Sequence, residues 1–312
     1  MQRNLPFMAA MATAAIGSLA MICPVVADDS AAVPALSGHW GRTNFNLEQP
    51  PDGPKFITNT LKKIDGTLDD DAGRVGDYTN PILTPEAAAI LKAHGEFSMT
   101  GQSIPDPHNQ CWPEPPPFTM SIQLELLVLQ RPDEVVLVYS NDQKVRHVRL
   151  NSTHPNPVVP TYAGDSIGHY EGDTLVIDTV AIKPGHWPVL DRYGTPRSDA
   201  LHVVERYRLI DGKAAEDTIL AHHRTFTRAP VAKADGYGGV FDADIGHKGL
   251  QVEVRVEDPK MFTQPWTGLV TYRPESNWPE MICADPPSLS NTTLLEISGP
   301  LRQNPVALKP DF

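Results

Sequence analysis

Leu250-Gln-Val-Glu-Val-Arg-Val256 alternates apolar and polar side chains at every step. Successive side chains on a strand point to opposite faces, so this run has one face in a core and one in water. Comparable runs fill the second half of the chain: 120–129, 134–140, 144–150, 166–170, 174–180, 201–210, 217–227, 250–257 and 267–273. Turn signals separate them, among them Arg131-Pro132-Asp133, Asn141-Asp142, Glu171-Gly172 and Asp211-Gly212. Short strands at regular spacing with polar turns predict an all-β fold, an antiparallel sandwich or barrel over residues 119–312.

Residues 28–118 read differently, as an irregular N-terminal wrap on the same domain. They are rich in Pro, Gly, Asn and Asp, and 101–118 ends in Cys-Trp-Pro-Glu-Pro-Pro-Pro-Phe, which forbids a central strand. One short helix is expected over 85–94, with Thr84 as its cap, Pro85 in the first turn and Gly95 as its stop.

Residues 1–27 carry one charge, Arg3, ahead of an apolar run from Met8 to Ile22, and they close on Val25-Val26-Ala27. That is the anatomy of a signal peptide cleaved near Ala27, so the product is expected in the periplasm or outside the cell. The apolar run is too short for a good membrane span, and no later run is long enough. The chain has 26 basic and 38 acidic residues, a net charge of −12 that becomes −13 without Arg3. With no basic run, it is a poor partner for nucleic acid or anionic lipid. Two cysteines follow the leader, Cys111 and Cys283. An oxidising compartment favours a disulfide between them over two separate buried thiols.

Alternation also says which polar groups share a face with the core. Along 201–210, Leu201, Val203, Glu205, Tyr207 and Leu209 fall on one side. Turned inward, that side carries Glu205 into apolar surroundings, where an unpaired carboxylate is costly. Along 144–150, Arg146 shares the more apolar face with Val148 and Leu150, and is the expected partner. The pair is either an ion pair that specifies the barrel or part of a site. A two-residue turn at Glu171-Gly172 pairs Tyr170 with Asp173 and His169 with Thr174, and puts His169 on one face with Asp178. The candidate acid–base groups are therefore His169 or His147, with Glu205 and Asp178, and Arg146 to stabilise negative charge.

Several chemistries find no support. There is no Gly-x-Ser-x-Gly elbow, no phosphate-binding glycine loop and no local metal-ligand spacing, so no cofactor and no metal is implied. Aromatic residues sit in suggestive loops: Trp112, Tyr162, Trp187, Tyr193, Trp266 and Trp278. The candidate ligand-binding set is Tyr162, Tyr170, Trp187, Tyr207 and Trp266, suited to a small hydrophobic or aromatic molecule at a barrel mouth.

Three stretches carry a resemblance. They are Leu36-Ser37-Gly38-His39-Trp40, the run Gly164-Asp-Ser-Ile-Gly-His-Tyr-Glu-Gly-Asp-Thr-Leu-Val-Ile-Asp-Thr179, and Ser198-Asp-Ala-Leu-His-Val-Val-Glu-Arg-Tyr207. Together with Glu257-Asp258-Pro259 and Gln264-Pro265-Trp266, they resemble a broad set of exported bacterial proteins that mostly lack an assigned function. Tyr170 stands where those relatives commonly show Trp. Gly38-His39-Trp40 on a first strand is similar to the Gly-x-Trp of lipocalin-like barrels, which implies a barrel holding a small ligand. Two readings follow: a non-catalytic carrier of a small apolar or aromatic molecule, or a cofactor-independent lyase, isomerase or hydrolase.

Overall fold

The computed structural model describes residues 33–42, 45–58, 75–226, 246–275, 278 and 282–283, the side chains of 223–226 aside. Residues 1–27, read above as an export leader, lie outside them. Nine strands close a barrel in chain order: β1 (Gly38–Gly41), β2 (Glu125–Gln130), β3 (Glu134–Tyr139), β4 (Lys144–Leu150), β5 (Asp165–Glu171), β6 (Thr174–Val180), β7 (His202–Ile210), β8 (Gly249–Glu257) and β9 (Trp266–Pro274). β1 lies between β2 and β9, so the segment before residue 119 supplies one stave of the barrel.

The barrel is mixed, not antiparallel throughout. Strand direction must reverse at every antiparallel junction, so a closed ring of nine cannot be antiparallel all the way round. One junction has to be parallel, and it is β4–β5, joined only through Arg149↔Ile167 and Leu150↔Gly168. A parallel neighbour needs a crossing connection. Residues 151–164 provide it, running from the end of β4 back to the level of its middle, where β5 starts beside it.

Three elements depart from expectation. The run expected as a strand over 217–227 is, through Phe226, part of helix α3 (Gly212–Phe226). Asp211 was read as a turn residue. Its Oδ1 accepts from the N–H groups of Lys213 and Ala214 and so starts the helix. Ala215, Ile219 and His222 are buried at helical spacing, and the helix lies against β8 and β9. The run 120–129 is split between a short buried helix, α2 (Phe118–Ile122), and β2. Finally, α1 (Pro85–Ser98) starts as expected, with Thr84 Oγ1 accepting from Ala87 N–H, but continues past Gly95. Gly95 faces Val75 so closely that a Cβ there would lie 2.8 Å from Val75 Cγ1. It serves packing, not termination.

The turn between β5 and β6 also shifts. Glu171 pairs with Thr174, Tyr170 with Leu175 and His169 with Val176, so the two turn residues are Gly172 and Asp173. Gly172 takes φ +60° at the first turn position, which glycine reaches without strain. β5 gains Asp165 and Glu171, β6 keeps its expected bounds, and the division into faces is unchanged.

Apolar side chains fill the interior. Leu126, Val128, Leu137, Val148, Leu175, Ile177, Val203, Val252, Val254 and Val270 are buried there with Tyr139, Tyr207 and Tyr272. Each fully buried aliphatic side chain contributes about 1.5–3 kcal/mol relative to exposure. Among the described residues, no helix is long and apolar enough to cross a membrane.

Candidate functional site

Inside the barrel, Arg146 and Glu205 meet as the alternation of their strands demands. Arg146 Nη2 lies 2.8 Å from Glu205 Oε1, and Nη1 donates to Oε2 at 3.1 Å. The remaining donors are also used: Nε reaches Ser166 Oγ at 3.0 Å, and Nη2 reaches Thr179 Oγ1 at 2.5 Å. Tyr207 donates its hydroxyl to Glu205 Oε2 at 2.7 Å. Burial alone would lower the Arg146 pKa, but the facing Glu205 charge raises it above the ordinary arginine value. Burial pushes Tyr139, the neighbouring phenol, up to about 12. Glu205 is 0% exposed and Arg146 only 5%, so both side chains are sealed from solvent.

The other candidate acid–base groups do not join them. His147 follows Arg146 directly, so the pleat points it outward, where it meets Glu134 at 3.2 Å. His169 is on the outer wall beside Glu171 at 3.0 Å. Asp178 is outside as well. Strand alternation places an inward Arg and Glu opposite an outward His and Asp, and the proposed catalytic set is divided by the barrel wall.

Asp178 belongs to a string of charges on that outer wall. His154, from the crossing segment 151–164, contacts Asp165 at 2.6 Å and Asp178 at 3.2 Å. Arg149 grips Asp165 through Nη1 and Nη2 at 2.8 and 2.9 Å. His202 contacts Asp178 at 3.1 Å and Glu257 at 3.7 Å. The string ties the crossing segment to β5 and β6, which explains how the parallel junction is held with so short a ladder. His202 stood inside the Ser198–Tyr207 stretch without a role, because its partners Asp178 and Glu257 come from neighbouring strands and meet it only across the sheet. Among the described residues, no group of three or more His, Cys, Asp or Glu is placed to hold a metal ion.

The hydrogen bond from His202 holds Asp178 below the usual carboxylate range, and Asp178 in return raises His202. The Asp178 contribution is present above about pH 4 and fades as pH falls through its lowered pKa. The His202 contribution is complete below about pH 6.5 and fades as pH rises through its raised pKa. The wild type should therefore lose melting temperature as pH rises from about 6.5 through the raised His202 pKa, and His202→Gln should remove that slope. Parallel pH profiles would retire the idea.

A different cluster forms at the rim where β6 ends and β7 begins. Trp112 is its centre, with ring centroids 5.9 Å from Tyr162, 5.0 Å from His186 and 5.5 Å from Trp187, all edge-on. These rings, with Pro107, Pro113, Pro115, Pro184, Gly185 and Arg197, line a small cleft open to solvent. Trp112, Tyr162 and Trp187 are each half-buried. Aromatic rings favour such edge-to-face contacts, and they leave ring faces free for a further partner.

Two irregular segments build this cleft, each fixed by polar groups in place of a strand ladder. In the first, Glu114 is fully buried and accepts from Gln123 at 2.7 Å, with His108 at 2.8 Å and Lys144 at 3.1 Å. Burial pushes the Glu114 carboxyl up, but His108 and Lys144 outweigh it and hold the group below its usual range. Next to Trp112, Cys111 is bridged to Cys283, with Cα atoms 5.5 Å apart, as the compartment argument expects. In the second, Asp191 Oδ1 accepts from Tyr193 and Thr195 N–H, and Ser198 binds the Asp258 carboxylate.

No protein-family model matches this chain, nor does any curated protein or solved structure. Function must therefore be argued from the residues themselves. Of the expected ligand residues, Tyr162 and Trp187 stand in the cleft. Tyr170 points into the barrel, where its hydroxyl accepts from Gln130 at 2.8 Å. Tyr207 is committed to Glu205, and Trp266 is core, stacked on Phe56 at 5.4 Å and edge-on to Phe262 at 5.7 Å. Trp112, one of the loop aromatics but not of that set, lines the cleft as well, and so do His186 and Arg197, for which no ligand role was expected. They lie in proline-rich segments with no period to assign a face.

Proposed function

We propose that this chain is an exported β-barrel protein that binds a small apolar or aromatic molecule, in the cleft around Trp112. The observation that carries this reading is the gathering of three half-buried aromatic rings and His186 around one opening, on walls anchored by a disulfide and a buried carboxylate. Concave sites lined by aromatic side chains with a few polar groups are the usual form of small-molecule pockets. Export is supported by the leader-like residues 1–27 and by the disulfide. The same reading places the chain among the exported proteins that carry the Gly164–Thr179 hairpin pattern, with a lipocalin-like carrier as the nearest analogy. An acid–base enzyme built on Arg146 and Glu205 is not adopted, because His147 and His169 stand outside the barrel wall from them.

Calorimetric titration with small neutral aromatic compounds tests the reading. Saturable binding is expected, and Trp112→Ala should weaken it at least tenfold while leaving the denaturation midpoint nearly unchanged, since Trp112 is only half-buried. Gly185→Ala is a second probe. Gly185 sits at φ +73°, and a Cβ there would lie 3.0 Å from Tyr162 Cε1, so the change should displace that ring and weaken binding. Absence of saturable binding to the folded protein would sink the proposal.

A further inference from the structure

The cleft contains a cation that its aromatic walls do not account for. Arg197 lines it and is only 3% exposed. Its Nη2 donates to the carbonyl oxygens of Lys183 and Pro184, each at 2.9 Å. Its Nε and Nη1 have no hydrogen-bond partner among the described residues. A buried donor left unpaired costs about 1–3 kcal/mol, and more when charged, so such a group calls for an explanation. Asp258 is the acid whose charge acts on Arg197, but its carboxylate is taken by Ser198 N–H at 2.6 Å and Ser198 Oγ at 2.7 Å. Burial pulls Arg197 down to about 10, which leaves it charged at neutral pH.

The charge of the surroundings points the same way. Acids outnumber bases 38 to 26 in the chain, yet no Asp or Glu is among the residues lining the cleft. A second cation stands at the same wall, Lys183, with Nζ 5.3 Å from the centroid of the Tyr162 ring. An acidic protein thus presents a cleft walled by aromatic rings and cations.

We propose that the cleft takes an aromatic monocarboxylate, its ring held among Trp112, Tyr162 and Trp187 and a carboxylate oxygen accepting from the free N–H groups of Arg197. This rests on the reading that the cleft binds small aromatic molecules, and adds the chemistry of the ligand's polar end. A charge-assisted hydrogen bond is about twice as strong as a neutral one, and here it would also satisfy a donor that is otherwise unpaired.

Phenylacetate and its neutral isostere phenylacetamide, titrated calorimetrically into the disulfide-bonded protein, separate the two ideas. The acid should bind at least tenfold tighter than the amide. Arg197→Gln should abolish that preference while leaving the affinity for the amide within a few fold. Equal affinities in the wild type would overturn the carboxylate proposal and leave aromatic binding standing. Binding of neither compound, with native circular dichroism, would overturn the reading beneath it. Arg197 also holds the carbonyls of Lys183 and Pro184, so the substitution can loosen that wall; the wild-type acid–amide comparison does not depend on the variant and decides the matter.

Discussion

Glu205→Gln should destabilise the barrel by about 3–5 kcal/mol, the usual cost of removing one partner from a buried ion pair. The reason is what remains. Arg146 keeps its charge at 5% exposure, with the neutral hydroxyls of Ser166, Thr179 and Tyr139 beside it and no carboxylate. Arg146→Met should cost a similar amount, because it strands Glu205 with only the Tyr207 hydroxyl. The two losses should not add. In Arg146→Met/Glu205→Leu both charges are gone, and apolar replacements of similar volume often recover or exceed the original stability. Tyr207 then lacks its acceptor, so a residual cost of about 1–3 kcal/mol should persist until Tyr207→Phe removes that donor too. Urea denaturation of the four variants measures the coupling. Ligand affinity at the rim should be unchanged in every variant that folds. A Glu205→Gln protein within about 1 kcal/mol of wild type would show that the pair is hydrated, contrary to its burial. Loss of binding at unchanged stability would instead return the pair to a functional role.

The prediction is available because much of the barrel was legible in the sequence. β4 and β6 run over the residues expected, and Arg146 faces Glu205 because period-two alternation survives errors of one residue in a strand's ends. The same alternation could have excluded His147, since it neighbours Arg146 on one strand. The failures have physical causes. α3 was read as a strand because Thr218, Ile219 and Leu220 suit either structure, and the deciding signal was the Asp211 cap with Ala214 and Ala215 behind it. The parallel junction was not legible, because strand direction follows from the count of strands, and one false strand obscured that count. The cleft was least legible of all. Its walls come from 107–115 and 183–197, which have no period, and the side chains that matter meet only through long-range contacts: Trp112 with Tyr162, and Arg197 with its own loop's carbonyls. Trp187 and Tyr162 were found by residue type alone, and so were Tyr207 and Trp266, which are core.

Removal of the Cys111–Cys283 disulfide should separate the cleft from the barrel. The bridge closes a sequence separation of 172 residues, for which the loop-entropy estimate is about 5 kcal/mol and measured losses run about 2–5 kcal/mol. Cys111→Ser/Cys283→Ser should therefore lower the denaturation free energy by roughly that amount. A second effect follows from where the bridge sits. Trp112 is the next residue, and the segment carrying it has two anchors, the disulfide and the buried Glu114 with Lys144, His108 and Gln123. The Glu114 anchor survives the double substitution and holds the far side of the segment, while the near side is released. The strands keep their ladder, since none of β1 to β9 contains either cysteine. Under conditions where the variant is folded, far-UV circular dichroism should match the wild type, and affinity for aromatic ligands should fall at least tenfold as the Trp112 wall loosens. Adding Glu114→Gln weakens the remaining anchor, leaving Lys144 without its buried carboxylate, and should abolish binding and cost further stability. Retained affinity in the cysteine-free protein would mean that Trp112 is held by its aromatic neighbours alone, and that the bridge acts on the unfolded chain without shaping the site.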